Sequence, residues 1–133
     1  MLITGPPQDP KHGHWWLEVG RGIVVGYWPS GLFTHLSQHA RMVQFGGEIF
    51  NARPTGSHTA TEMGSGHFPG EGFDRAAYFR NLQVVDWDNS IIGASNLKLL
   101  ADHPGCYDIQ GGFNSHWGTH FYYGGPGRNV NCP

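Results

Sequence analysis

The sequence has little charge and no long apolar run. Charged residues make up 14% of the 133 residues, whereas an ordinary globular domain has roughly 25%. No stretch of eighteen apolar residues occurs, so no transmembrane helix is predicted. The first residues also lack the basic and apolar regions of a signal peptide. Lys and Arg number eight against ten Asp and Glu, with no basic run. We therefore expect neither a membrane nor a nucleic acid as partner.

Residues that favour long solvated helices are also scarce, since the chain has only two lysines and four glutamates. It does have 21 glycines, nine prolines and 14% aromatic residues. This combination is typical of short strands joined by tight turns, and it predicts an all-β, antiparallel fold. The length corresponds to one domain, residues 1–133.

Two strand-like runs near the start, 14–20 and 23–28, are separated by Arg21 and Gly22, which predicts a β-hairpin. Leu32, Leu36 and Ala40 at spacing four predict a short helix or a helical turn over 32–40. The run 42–50 is predicted to be a strand. Its two central glycines indicate either a bulge or a close backbone approach.

The rest of the chain alternates between loops and short strand-like runs. Residues 51–75 form a long Gly-, Ser-, Thr- and His-rich segment, and structureless loops of that length are more often functional than idle. Strands are predicted over 76–86, 106–109 and 116–123, with a weaker signal over 91–100 and turns from residue 124 onwards.

Glu48 is the most informative carboxylate, because it lies in an apolar run directly after two glycines. Strand alternation places Gln44 and Gly46 on the same face as Glu48. We expect burial among apolar neighbours to favour the neutral acid, which suits general acid or base catalysis in mild acid. The flanking glycines would admit a substrate backbone. The alternative is a solvated residue at a sheet edge.

The other glutamates indicate structural roles. Glu18 is expected to face outward from its strand, Glu62 to orient its glycine-rich loop through backbone N–H groups, and Glu71 to lie on the surface. The adjacent Trp15 and Trp16 must face opposite sides of a strand, so one is expected in the core and the other exposed or lining a cleft.

The nine histidines include pairs at short spacing, but none accompanies an HExxH pattern or a suitably spaced carboxylate. We therefore predict no metal site, and no GxSxG elbow marks a serine nucleophile. Cys106 and Cys132 have no CxxC spacing. They form either a disulfide that fixes the C-terminal tail or two buried thiols.

Six strings in order resemble the C-terminal half of the neprosin family of plant proteins from about residue 9 to the end. They are WWLEVG, IVVGYWPSGLFTHL, FGGEIF, TEMGSGHFPGEGF, AAYFRNLQVVD and YYGGPGRNVNCP. The resemblance implies a secreted glutamic peptidase with a jelly-roll-like antiparallel β-sandwich that cleaves proline-containing peptides after proline at acid pH. No cofactor is implied.

By motif, the resemblance makes Glu48 the second of two catalytic glutamates and Cys106–Cys132 the disulfide of the family. With Glu48 as the catalytic residue, Gln44, Gly46 and Gly47 are the expected substrate-binding residues. In the family, one glutamate activates a water while the other handles the proton and the oxyanion. Two neighbouring carboxylates cannot both ionise cheaply, which accounts for an acid optimum.

Nothing before Trp15 resembles the strand that carries the first catalytic glutamate. The sequence is therefore expected to be a fragment with an incomplete sandwich, weak or inactive alone. The alternative hypothesis is a non-catalytic β-sandwich module that binds peptide or glycan on its aromatic strand faces. The sequence makes no prediction of oligomeric state.

Overall fold

The computed structural model describes residues 3–4, 9, 11–19, 23–51, 56–86, 88 and 90–133. Nearly all regular structure in these residues is antiparallel β, which confirms the all-β prediction. The chain divides into two compact units. The first unit comprises Met1–Gln44 and Val84–Ile92, and the second unit comprises Phe45–Gln83 and Gly93–Pro133. The sandwich arrangement of the sheets stays a prediction.

The first unit contains a three-stranded antiparallel sheet in the order β1-β2-β3. Its strands are β1 (Ile3–Thr4), β2 (Trp15–Val19) and β3 (Ile23–Trp28). Trp15 pairs with Trp28, and the register shifts by one residue after Leu17. The predicted hairpin is therefore present, while its turn at 20–22 lies outside the described residues.

Side-chain contacts fix the two adjacent tryptophans of β2. Trp15 Nε1 donates a hydrogen bond of 2.7 Å to the carbonyl oxygen of Leu36, and the Trp16 ring packs against Tyr27 at 4.7 Å. Both indoles are half-buried. The prediction that one of the two tryptophans lies in the core is therefore wrong, because the hydrogen bond and the ring contact each cover only part of a side chain.

No helix forms over 32–40, so of the two predicted alternatives only a helical turn is seen, at the start of this range. A single 3₁₀ turn, Ser30–Leu32, follows Pro29, and it ends at Phe33, whose backbone is extended. Beyond it the side chains of polar residues bond locally, with Ser37 Oγ donating to the Thr34 carbonyl at 3.4 Å. Such local bonds compete with helix formation, and most side chains here are exposed, so no buried apolar face stabilises a helix.

The predicted strand over 42–50 is also wrong, since these residues form no strand. Met42 and Phe50 are 73% and 87% exposed, so the apolar residues of this run do not form a packed sheet face. The backbone is instead fixed around Gly47 and Ile49 by the packing contacts described below.

The second unit contains an antiparallel sheet in the order β4-β8-β7. β4 is Ala77–Phe79, β7 is Asp108–Asn114 and β8 is Gly118–Gly124. Gln83–Val85 (β5) and Ile91–Gly93 (β6) pair as a separate two-stranded hairpin, most of which (Val84–Ile92) belongs to the first unit. The predicted single strand 76–86 is thus split. Asn81 takes a left-handed conformation with φ 52° and donates its N–H to the Trp117 carbonyl at 2.8 Å.

Among the residues whose burial the structure describes, the buried hydrophobic side chains all belong to the second unit: Ala76, Leu82, Ala94, Cys106, Tyr107, Phe121 and Cys132. Three of them, Cys106, Tyr107 and Cys132, form a cluster that we call the disulfide core. A second 3₁₀ turn, Pro69–Glu71, lies in the same unit. Among the residues described, no helix is long and apolar enough to cross a membrane.

Candidate functional site

Glu48 lies in an irregular segment of the second unit, and its side chain is exposed. The expectation that apolar neighbours bury it is therefore wrong, because the strand on which that expectation rested does not form. The solvated alternative describes its environment. The residue that follows it, Ile49, is half-buried.

Gly47 fixes the chain immediately before Glu48. A Cβ at position 47 would lie 3.0 Å from Met63 Cγ and 3.2 Å from Tyr123 Cε2. Only glycine therefore fits this approach without displacing one of those side chains. The close backbone approach indicated by the sequence is present at Gly47, although its neighbours belong to the chain itself.

Ile49 fixes the chain immediately after Glu48, because its side chain packs against the disulfide core. Met63 packs against the same core and also contacts Gly47. Glu48 is thus held between Gly47, which lies against Met63 and Tyr123, and Ile49, which contacts the disulfide core, while the Glu48 side chain is exposed. This arrangement restricts the backbone position of a reactive side chain and leaves the side chain accessible.

The structure joins Cys106 and Cys132 by a disulfide with Cα atoms 5.3 Å apart, as the disulfide prediction requires. Backbone hydrogen bonds hold both cysteines independently of the sulfur atoms. Cys106 N donates to the His103 carbonyl at 2.8 Å, and Cys132 N donates to the Asn129 carbonyl at 3.0 Å. The Asn129 side-chain amide donates a hydrogen bond of 2.9 Å to the Gly105 carbonyl, and this bond links the chain next to Cys106 with the chain next to Cys132.

The long predicted loop is in part ordered against the C-terminal tail. Met63 and Gly125 form a β-bridge, with Met63 N donating to the Gly125 carbonyl at 3.0 Å. Gly127 takes a left-handed conformation with φ 72°, and a Cβ there would lie 2.6 Å from the Thr59 carbonyl oxygen. Tyr107 Oη donates a hydrogen bond of 2.8 Å to the Thr61 carbonyl, and burial raises the pKa of this hydroxyl. Residues 52–55 of the loop lie outside the described residues.

Gly46 and Gln44 differ from Gly47 in having open surroundings. A Cβ at Gly46 would have no atom within 4 Å, and the side chain of Gln44 is exposed. Of the three residues predicted to bind substrate, Gly47 is therefore occupied by internal packing. Gly46 presents the open backbone next to Glu48.

The remaining glutamates are in different environments. A Cβ on Gly66 would lie 2.7 to 3.0 Å from the carboxyl atoms of Glu62, so this carboxylate packs over its own loop. The side chain of Glu18 is outside what the structure describes. The predicted role of Glu62, orienting its loop through backbone N–H groups, stays a prediction.

Glu71 is exposed but has several partners, which the sequence did not indicate. Its carboxylate lies 2.9 Å from His67 Nδ1 and 3.2 Å from Arg75 Nη1, and it accepts a hydrogen bond from Phe68 N at 3.1 Å. Desolvation raises the pKa of Glu71, but the bonds from His67 and Phe68 outweigh it and the net pKa is lowered. This carboxylate caps the second 3₁₀ turn.

One face of the β4-β8-β7 sheet carries a continuous set of aromatic rings. Tyr78 on β4 lies opposite Tyr122 on β8, with ring centroids 6.1 Å apart. Trp117 stacks on Tyr78 at 4.8 Å, Phe73 lies 5.4 Å from Trp117, and Arg80 lies 5.5 Å from the Trp117 centroid. Phe73 and Tyr78 are exposed. We call this set the aromatic face.

The opposite face of the same sheet is packed, since it carries the buried Phe121. The strand predicted over 116–123 contains Tyr122, but no sequence pattern indicated that Phe73 and Trp117 extend the aromatic set beyond the strands. Those two residues lie in turns, where the strand period does not apply.

A second grouping missed by sequence spacing joins His58 to the disulfide. A ring nitrogen of His58 and the sulfur atoms of Cys106 and Cys132 lie within 4.8 Å of one another. The paired histidines that the sequence singled out have other neighbours. His12 Nδ1 lies 2.9 Å from Asp9, and His14 accepts a hydrogen bond from Ser30 N at 3.3 Å.

A family model described as Neprosin matches residues 6–126 of the chain. Because the match covers most of the 133 residues, the chain belongs to the Neprosin family. Membership supports a neprosin-like protease at the level of the family, and with it a peptide as substrate in the broad sense. The match includes Glu48 and the residues on either side of it, Gly47 and Ile49.

Proposed function

We propose that the chain is part of a glutamic peptidase that cleaves peptides after proline in acid, and that Glu48 is one of its two catalytic carboxylates. Family membership supports the class of enzyme. The observation that carries the role of Glu48 is its position, exposed and held between Gly47 and Ile49.

The proposed chemistry needs two carboxylates in opposite protonation states. One accepts a proton from the attacking water, and the other donates a proton to the leaving amine or stabilises the oxyanion. Two such groups close together share a proton, and this state exists only in acid. Glu48 supplies one of them.

No other glutamate in these 133 residues matches the motif of a catalytic pair, so we propose that the 133-residue chain assayed alone is weak or inactive. Glu62 packs over its own loop, and Glu71 is engaged with His67 and Arg75. A missing partner carboxylate removes a contribution of about 10²- to 10⁴-fold to the rate.

For substrate binding we propose Gln44, Gly46 and Gly47, with the open backbone of Gly46 as the point where a peptide approaches Glu48. Gly47 acts indirectly by fixing the segment against Met63 and Tyr123. The substrate is a peptide or protein that contains proline. We also propose a secreted, extracellular enzyme, which is compatible with the disulfide.

The test is cleavage of a proline-containing peptide by the purified chain at pH 3 to 6, with Glu48→Gln and Glu62→Gln compared. We expect a rate at or slightly above the uncatalysed level. Any excess should be lost in Glu48→Gln and kept in Glu62→Gln. Strong cleavage that survives Glu48→Gln would exclude the proposed role.

A second candidate function is favoured by the aromatic face. Stacked, partly exposed rings with a neighbouring guanidinium are suited to binding a peptide or a glycan without turnover. Peptide or glycan binding that survives Glu48→Gln and is lost in Trp117→Ala would favour this module. Tyr27→Ala, in the first unit, is the matched aromatic control.

A further inference from the structure

His58 is held beside the disulfide by bonds that do not involve sulfur. Its backbone N–H donates to the carbonyl of Pro133 at 3.0 Å, which places it against the residue after Cys132. Its Nδ1 lies 3.1 Å from the Thr59 carbonyl oxygen. In the tautomer in which Nδ1–H donates to this carbonyl, Nε2 carries the lone pair. Histidines that bind metals are commonly oriented by a hydrogen bond of this kind.

The two cysteines also keep their positions through backbone bonds to His103 and Asn129, and the Asn129 side-chain amide donates to the Gly105 carbonyl. Their side chains are 1% and 9% exposed. Reduction of the disulfide therefore leaves two neighbouring thiols whose backbones remain tied together. Two thiolates on one zinc ion lie about 3.8 Å apart, given Zn–S bonds of about 2.3 Å in a tetrahedron. In the disulfide form a ring nitrogen of His58 lies within 4.8 Å of both sulfur atoms, so the three ligand atoms are close enough to reach one ion once the sulfurs separate.

A surface cavity of about 400 Å³ opens onto this group and is lined by His58, Cys106 and Cys132 together with Asp102 and His103. The His103 ring lies edge-on to His58 at 5.6 Å. An ion can therefore enter from solvent, and a water can complete the coordination. Three protein ligands and a water form a common zinc arrangement.

We infer that the reduced protein binds one zinc ion through Cys106, Cys132 and His58, and that the disulfide form does not. A dithiol reductant supplies two electrons and two protons, becomes a disulfide itself, and leaves Cys106 and Cys132 as thiols. Zinc binding then releases the two thiol protons to solvent. The C-terminal tail thus exchanges one covalent link for a metal link. This inference does not depend on the peptidase proposal.

The experiment is a titration of the full 133-residue chain with Co²⁺ as a spectroscopic probe for zinc. The disulfide is first reduced with a phosphine, which takes the oxygen of a water and becomes a phosphine oxide. We expect one Co²⁺ per chain, with thiolate charge-transfer and tetrahedral d–d absorption that added Zn²⁺ abolishes. The oxidised chain and the reduced chain alkylated with iodoacetamide should show neither band.

Histidine variants separate this site from adventitious binding. His58→Ala should weaken Co²⁺ binding by at least about tenfold, while His58→Cys should keep a tetrahedral spectrum with stronger charge transfer. His116→Ala, an exposed histidine of the same unit, should bind like the wild type. Equal binding by the oxidised and reduced chains, no binding by the reduced chain, or undiminished affinity in His58→Ala would each overturn the inference. If reduction loosens the fold, the comparison of His58→Ala with the wild type, both reduced, still tests whether His58 binds the ion.

Discussion

The two compact units differ in how far their apolar side chains are exposed to solvent. In the second unit Phe121 is 3% exposed and Cys106 is 1% exposed, whereas in the first unit Ile23 is 66% exposed. The first unit is organised by hydrogen bonds and ring contacts, such as Trp15 to Leu36 and Trp16 to Tyr27. The second unit is organised around a disulfide and a packed sheet face.

This difference shows why the candidate site is found in the second unit. A reactive side chain needs a backbone that is held in one position. Gly47 and Ile49 provide it by contacting Met63 and the disulfide core. The exposed apolar residues of β3 provide no comparable support.

The largest expected effect is that of Phe121→Ala. Removing a buried ring leaves a cavity, and we expect the free energy of unfolding to fall by about 3–5 kcal/mol. Ile23→Ala in the first unit should change it by only about 0.5 kcal/mol, because that side chain is already in water. Urea unfolding followed by circular dichroism measures both.

Phe113→Ala is the matched control for that experiment, since Phe113 lies in the same sheet and is 77% exposed. It should behave like Ile23→Ala. Equal losses for Phe121 and Ile23 would mean that the two units do not differ as described.

The next largest effect is that of removing the disulfide with Cys106→Ala and Cys132→Ala together. The link closes a separation of 26 residues, so its loss should lower the free energy of unfolding by about 3 kcal/mol. Amide hydrogen exchange should increase near Met63 and Ile49 and stay unchanged in the hairpin β2–β3. Increased exchange in the hairpin alone would contradict the assignment of the disulfide core to the second unit.

Gly47→Ala should have a smaller effect, about 1–3 kcal/mol, because a Cβ there meets Met63 and Tyr123. Gly93→Ala is the matched control, since a Cβ at Gly93 meets nothing within 4 Å. Thermal unfolding of the two variants measures the difference. A Gly47→Ala protein as stable as Gly93→Ala would show that Glu48 lacks the anchor on which its proposed role depends.

The smallest expected effect on the free energy of unfolding is that of replacing one carboxylate in each unit, Glu71 or Asp9. The pKa of Glu71 is lowered, with desolvation outweighed by bonds from His67 and Phe68, and the pKa of Asp9 is lowered chiefly by the N–H of Lys11. The ordinary pKa is 4.5 for Glu71 and 3.8 for Asp9. Because each pKa is lower in the folded state, each carboxylate stabilises the folded protein at a pH above its ordinary pKa. This stabilisation is lost as the pH falls through the pKa of the folded state.

Glu71→Gln and Asp9→Asn should therefore each be less stable than the wild type at pH 6, and the difference should shrink towards pH 2. Urea unfolding at the two pH values measures it. A difference that grows as the pH falls would have the wrong sign for these contacts.

The features predicted from sequence are those with a local pattern. The hairpin β2–β3 follows from two strand-like runs around a glycine turn, and β8 from a short run rich in aromatic residues. The strand expected around Glu48 fails because its anchors, Met63 and Tyr123, lie far along the chain and leave no local pattern. The approach of His58 to the disulfide has the same origin, since the contact depends on the C-terminal residue Pro133.

The most direct measurement of the central claim is the rate of cleavage after proline by the wild type, Glu48→Gln and Glu62→Gln proteins near pH 4. If Glu48 is one carboxylate of an acid pair, the wild type shows at most a weak rate, and only Glu48→Gln removes it. Vigorous turnover that is indifferent to Glu48→Gln would contradict the account.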